Sequence, residues 1–154
     1  MEMASYITGL VDGEGSFMVS FSKRDKLKTG VEVRPAFSVS QHKRNREILF
    51  RLQEYFKCGS VRFDSHDDTY KYEVRSLDEI IKYIIPHFEQ YPLRTTKQQD
   101  FERLKMICLL MRTRHHRSEV GIREIIGVAY QMNNLGARRY TKDTLLQTVS
   151  KMKV

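Results

Sequence analysis

"YITGLVDGEGSF", Tyr6 to Phe17, decides how the rest of the chain is read. It opens as an apolar helix, with Tyr6, Ile7, Leu10 and Val11 at helical spacing. The same stretch carries Gly9, Gly13 and Gly15 together with Asp12 and Glu14. A glycine inside a helix costs about 1 kcal/mol relative to alanine, so these glycines need a reason. Ser5, Gly9 and Gly13 stand four apart and form one stripe of the helix. Small residues in a stripe let another backbone come close, and that backbone is either the protein's own sheet or a second helix. Asp12 to Gly15 fall at the C-terminal end, where glycine is the usual terminator. Acids there oppose the negative end of the helix dipole, at a cost of roughly a few tenths of a kcal/mol. They ask for a counter-charge, and a metal ion is one candidate. One such acid per chain is too little for a magnesium site, whereas two copies meeting at an interface supply two.

Beyond this helix, expected over residues 4 to 13, the hydrophobic period changes to two. In "SFMVSFSKR" Phe17, Val19 and Phe21 share one face, and Ser16, Met18, Ser20, Ser22 and Arg24 share the other. In "VEVRPAFSVSQ" the apolar face holds Val33, Phe37 and Val39, opposite Arg34, Ala36, Ser38 and Ser40. "DKLKTG", Asp25 to Gly30, is the turn of the resulting hairpin, and Pro35 points to an edge position or a bulge. Asn45 is expected to cap a helix striped by Ile48, Leu49, Leu52 and Phe56. A second hairpin follows, in which Val61, Phe63, Tyr70, Tyr72 and Val74 alternate with Arg62, Asp64, Lys71, Glu73 and Arg75. "SLDE", Ser76 to Glu79, is a capping-box start, and Pro86 is expected to end the helix it opens. Three further helices are expected near 96–112, 119–132 and 142–152.

The order αββαββα with extra C-terminal helices describes one α+β domain over residues 1–154, with a twisted antiparallel four-stranded sheet. Helices cover its apolar face. The other face is either simply solvated, as is common for antiparallel sheets, or meets a polar partner. Composition favours the partner: Arg24, Arg34, Arg62, Lys71 and Arg75 stand there among short Ser side chains, and a two-stranded ribbon fits a DNA major groove. The chain carries 27 Lys and Arg against 19 acids, a net charge of +8, which favours a polyanion. "ARRYTK", Ala137 to Lys142, offers a further phosphate contact through Arg138, Arg139 and Lys142.

Other classes drop out. No apolar run approaches the roughly 20 residues of a membrane span. No signal or transit peptide is evident, so the expected location is intracellular, in a prokaryotic cytoplasm or an organelle rather than secreted. Cys58 and Cys108 form no CxxC pair and are expected as buried thiols. His42, His66, His115 and His116 complete no zinc-ligand spacing. There is no Ser/His/Asp arrangement and no Gly-rich phosphate loop.

"ITGLVDGEGSF" resembles the signature motif of the LAGLIDADG homing endonucleases. "FSVSQ" after the first hairpin, "YPLRTTKQQDF" after the third helix and the order of elements are similar to that family over essentially the whole chain. Members with one motif pair as homodimers, and this chain has one. The resemblance makes Ser5, Gly9 and Gly13 a dimer interface and makes Glu14 the metal-binding catalytic acid, where most members have Asp. It gives Asp12 a part in fixing the helix end, Gln41 the role of orienting water at the scissile phosphate, and Lys97 that of stabilising phosphate charge. It implies Mg²⁺ as cofactor, with Mn²⁺ as a substitute and Ca²⁺ binding without supporting cleavage. The implied activity is sequence-specific cleavage of both strands of double-stranded DNA in intron homing, at a pseudo-palindromic site, across the minor groove. Two alternatives share the scaffold: an intron maturase, whose partner is RNA, and a DNA-binding regulator without catalysis.

Overall fold

A computed structural model of the protein describes residues 2–132 and 138–152. Helix α1 (Met3–Glu14) leads into the hairpin β1 (Gly15–Lys23) and β2 (Val31–His42). Helix α2 (Glu47–Phe56) precedes the second hairpin, β3 (Ser60–Asp64) and β4 (Thr69–Val74). Then come α3 (Leu77–Glu79), a π-helical turn (Ile80–Ile84), α4 (Ile85–Gln90), α5 (Lys97–Arg112), α6 (Glu119–Ala129) and α7 (Lys142–Ser150). The strands form one antiparallel sheet in the order β1-β2-β4-β3. The expected α+β order is therefore the observed one. Among the described residues no helix is long and apolar enough to cross a membrane.

Register follows the alternation. Phe17 pairs with Phe37, and Phe37 with Val74, so the apolar residues of three strands meet on one face. Behind them Phe17 lies 5.2 Å from Phe37, 5.3 Å from Phe88 and 5.5 Å from Phe101, centroid to centroid. All four rings are fully buried, and losing one would cost about 3–5 kcal/mol. Ile7 and Val11 of α1 enter the same core. Cys58 and Cys108 are buried free thiols within it.

Two local expectations are corrected. Asn45 does not cap α2; it ends a 3₁₀ turn, Lys43–Asn45, in which the Arg44 N–H donates to His42 Nδ1 and the Lys43 N–H to the Asp68 carbonyl. Pro86 does not end the third helical segment, which runs on to Gln90. The π-helical turn just before it widens the spiral and takes up the proline ring. Ser76 does cap as expected, accepting from the Glu79 N–H at 3.3 Å. Pro35 stands where β2 is paired with β1 alone, because β4 joins β2 only from Phe37 onward. Its missing donor is tolerated at this local edge.

A polar joint lies under α1. The Thr8 hydroxyl donates to the Tyr91 carbonyl at 2.9 Å, which leaves it to accept from His87 Nε2 at 3.1 Å. His87 Nδ1 then accepts from the Tyr55 hydroxyl at 3.0 Å. Burial pushes the His87 pKa down to about 4, from 6.5 in water. An imidazole depressed in the folded state binds its proton only on unfolding across this interval, so the native chain loses stability as pH falls from 6.5 toward 4. We expect denaturant unfolding to show this loss between neutral pH and about pH 4.5, and His87→Gln to flatten it. Identical pH profiles for both proteins would contradict the buried neutral imidazole.

Candidate active site and nucleic-acid interface

The chain turns from α1 into β1 at Gly15, whose N–H closes the helix on the Val11 carbonyl. A Cβ at Gly15 would stand 2.6 Å from Val11 Cγ1 and 3.0 Å from Val11 O, so this turn admits no side chain. Gly9 and Gly13 differ. A Cβ at either would meet nothing within 4 Å, and both are exposed with Ser5 and Tyr6. The small stripe therefore does not pack against the protein's own sheet.

The counter-charge at the end of α1 comes from the start of α5. Lys97 Nζ donates to the carbonyls of Val11 at 3.0 Å and Asp12 at 3.1 Å, meeting acceptors that the helix end leaves open. Burial lowers the Lys97 pKa, opposed by the charges of Asp12, Glu14 and Asp100. Asp12 faces the other way. Its carboxylate accepts from the Arg94 N–H at 2.9 Å, the Thr95 N–H at 3.2 Å and the Thr95 hydroxyl at 2.8 Å. Burial alone would raise its pKa, but these bonds and nearby Lys97 outweigh that and hold the carboxyl below its ordinary range. Asp12 fixes the approach to α5. Three of the roughly four acceptor sites of its carboxylate are taken.

Glu14 is the acid left over. Its side chain is exposed at the last turn of α1, and among the described residues it takes part in no hydrogen bond or ion pair. Gln41 lies at the same end of the sheet: Val39 pairs with Gly15, the residue after Glu14, and Gln41 stands two residues further along β2. It shares the phase of Phe37 and Val39, the side on which α1 packs. Glu14 thus leads into the end of the sheet toward which Gln41 stands, and Lys97 is held on the helix end. Beside it opens a cleft of about 890 Å³, lined in part by Asp12, Ser16, Lys97, Arg103 and Arg139. Among the described residues no three His, Cys, Asp or Glu side chains gather as a metal cluster. A hard carboxylate oxygen that makes no hydrogen bond among the described residues fits Mg²⁺, which takes oxygen ligands and keeps several waters. One chain contributes one such carboxylate.

The face of the sheet away from the core carries the expected polar rows. Ser16 pairs with Ser38, Ser20 with Arg34, Ser40 with Lys71 and Arg62 with Lys71. Met18, 41% exposed, stands opposite Ala36 as an apolar step among them. Ser38 is the exception: it has the right phase but is buried at 4% exposure, between Ser16 and Glu73. Asp64 turns to the hairpin tip and accepts from the His66 N–H.

The cations of this face are not bare. Glu73 lies 2.8 Å from Arg75 and 3.8 Å from both Arg62 and Lys71. Glu32, outside the polar row expected for β2, lies 2.7 Å from Arg24 and 3.9 Å from Arg34. Its phase in "VEVR", two residues before Arg34, was the available signal.

In the expected phosphate contact at 137–142, Ala137 lies outside the described residues. Arg138 is turned inward. Its guanidinium donates to the carbonyls of Val19 at 2.6 Å and Ala129 at 2.7 Å and lies over the Tyr130 ring. It clamps the C-terminal segment to the open edge of β1. Arg139 and Lys142 are exposed.

Comparison with known proteins agrees with this geometry. The crystal structure of the homing endonuclease I-TnaI is 33% identical, with a TM-score of 0.84, each chain covered over 99%. The structure of I-SmaMI bound to an uncleaved DNA target in the presence of calcium ions is 30% identical with a TM-score of 0.81, over 85% of this chain and 44% of that one. A probable intron-encoded endonuclease of Neurospora crassa is 34% identical over 79% of this chain, which spans only 27% of that relative's length. The family model described as LAGLIDADG endonuclease matches residues 7–108, and the chain belongs to that family.

Proposed function

We propose that the protein is a homodimeric, divalent-metal-dependent endonuclease that cuts both strands of double-stranded DNA at a specific, pseudo-palindromic site, in the homing of an intron. The observation that carries this reading is the division of labour at the end of α1. Asp12 and Lys97 are committed to the helix junction, whereas Glu14 alone is uncommitted. The exposed stripe of Ser5, Gly9 and Gly13 gives a second α1 a surface on which to pack. Pairing there brings two Glu14 carboxylates together, one for each strand. The I-SmaMI complex with DNA and calcium supports a metal at such a site, and the intron-encoded relative supports the homing role.

The Glu14 carboxylates would hold Mg²⁺, which when bound would supply charge neutralisation and an activated water for phosphodiester hydrolysis. The chain's own residues do the rest. Glu14 stands at the turn into β1, where the close approach at Gly15 leaves no room for a side chain. Gln41 donates and accepts hydrogen bonds at the rim of the sheet and orients water there. Lys97 keeps the α1 end from repelling phosphate by covering two of its carbonyls, and its positive charge lies on the side from which phosphate arrives. The sheet face with Arg24, Arg34, Arg62, Lys71 and Arg75 lies along the major groove, flanked by Arg139 and Lys142 on the backbone.

Two outcomes test the reading. Glu14→Gln keeps size and hydrogen bonding but removes the charge, so cleavage of a cognate site in Mg²⁺ should fall at least about 100-fold, the scale of losing one electrostatic stabiliser. Gel-shift affinity should persist or rise slightly. Cleavage at the wild-type rate would remove Glu14 from the site. Gly9→Leu has open space around its Cβ within one chain and gains helix propensity of about 1 kcal/mol. It should therefore remain folded by circular dichroism yet sediment as a monomer. A dimer of unchanged affinity would move the interface elsewhere.

A further inference from the structure

Among the described residues, Arg24, Arg34, Arg62, Lys71 and Arg75 of the recognition face share two acids, one in each hairpin. Glu73 takes Arg75 through Nε at 2.8 Å and Nη2 at 3.4 Å, with Arg62 and Lys71 at 3.8 Å. Its side chain is only 11% exposed, beneath cations that are 31–60% exposed. Glu32 takes Arg24 at 2.7 Å and Arg34 at 3.9 Å, and Arg34 also donates to Ser22 at 3.4 Å. The exposed Glu32 pairs contribute little to stability, and the covered Glu73 carboxylate is shared by more cations than balancing its one charge requires. The arrangement does have a consequence for a polyanion. Each carboxylate cancels one charge where phosphates would approach, and it fixes several long side chains in one geometry before any DNA arrives.

We propose that Glu32 and Glu73 set sequence discrimination by acting as internal counter-ions of the recognition sheet. The inference rests on the reading that this face meets duplex DNA. Phosphate attraction is the same for every sequence, and the acids subtract from it uniformly. Base recognition needs donors held at fixed angles. Arg75, anchored by two of its N–H groups, presents the remaining ones with less ordering cost on binding. Specificity is a difference between two affinities, and the two acids widen it by weakening binding to the wrong sequence more than to the right one. They occupy the phase of the strands that points into the groove, so neither can be replaced by a distant charge.

The test uses the full-length dimer, a random-sequence duplex and a fully randomised duplex library, with a chelator present to prevent cutting. Glu73→Gln and Glu32→Gln should each bind the random duplex roughly tenfold or more tighter at low salt. Each should steepen the log–log salt dependence by about two per dimer, since one phosphate neutralised adds about 0.9. Sequences enriched from the library should show a weaker consensus than those selected by wild type. Glu73→Asp, which keeps the charge, should return the salt slope to the wild-type value. If both glutamine variants are folded by circular dichroism yet bind the random duplex no more tightly and with an unchanged slope, the inference is overturned. Should Glu73→Gln fail to fold, Glu32→Gln decides alone. Arg62→Ala and Arg75→Ala separate this failure from a deeper one. If they weaken binding while the acid variants change nothing, only the counter-ion role falls; if they leave binding intact, the sheet is not the DNA face and both readings fall.

Discussion

The junction between the end of α1 and the start of α5 is the contact on which the rest depends. An α-helix ends with carbonyls that have no partner and a partial negative charge, and this one ends with two acids as well. Lys97 covers the carbonyls of Val11 and Asp12, and the backbone of Arg94 and Thr95 takes up the Asp12 carboxylate. Residues more than eighty positions apart are tied by short, charge-assisted bonds. The Thr95 hydroxyl joins the two halves, donating to Asp12 and accepting from the Lys97 N–H. With the helix end neutralised in this way, Glu14 is free to face outward.

In the proposed function the same junction couples chemistry to recognition. Gly15 is both the last link of the helix turn and the first residue of β1. Glu14 directly precedes the strand whose Ser16, Met18, Ser20 and Ser22 form the front row of the sheet. A shift of that strand against DNA would carry Glu14 with it. Arg138 holds the far side of the strand by satisfying the Val19 carbonyl at the sheet's open edge, where unpaired backbone groups would otherwise face solvent.

Much of this was legible in the sequence for a plain reason. Alternation in "SFMVSF" and "YKYEV" has period two, and only one register puts Phe17, Phe37, Tyr72 and Val74 on one face. The signature helix was legible because glycine and acid residues at its end conflict with ordinary helix chemistry. Pro86 was misread because its tolerance depends on a π-helical turn that no local pattern announces. Arg138 was misread because a basic residue in a polar run looks the same whether it meets phosphate or two carbonyls far away in the chain. The shared acids were hidden for a similar reason: Glu73 was counted as one polar residue of a face, and its three cations come from two different strands and a strand end. Tertiary partners decide such cases, and spacing does not encode them.

The central claim is that each chain supplies a single active carboxylate and that a working site needs two copies paired through α1. A mixed dimer tests it most directly, with one wild-type subunit and one Glu14→Gln subunit carried on different affinity tags and purified through both. Cleavage of a cognate supercoiled plasmid in Mg²⁺ would be followed for nicked and linear products. Linear product should nearly disappear while residual nicking remains. Linear product formed by the mixed dimer at the wild-type rate would contradict it.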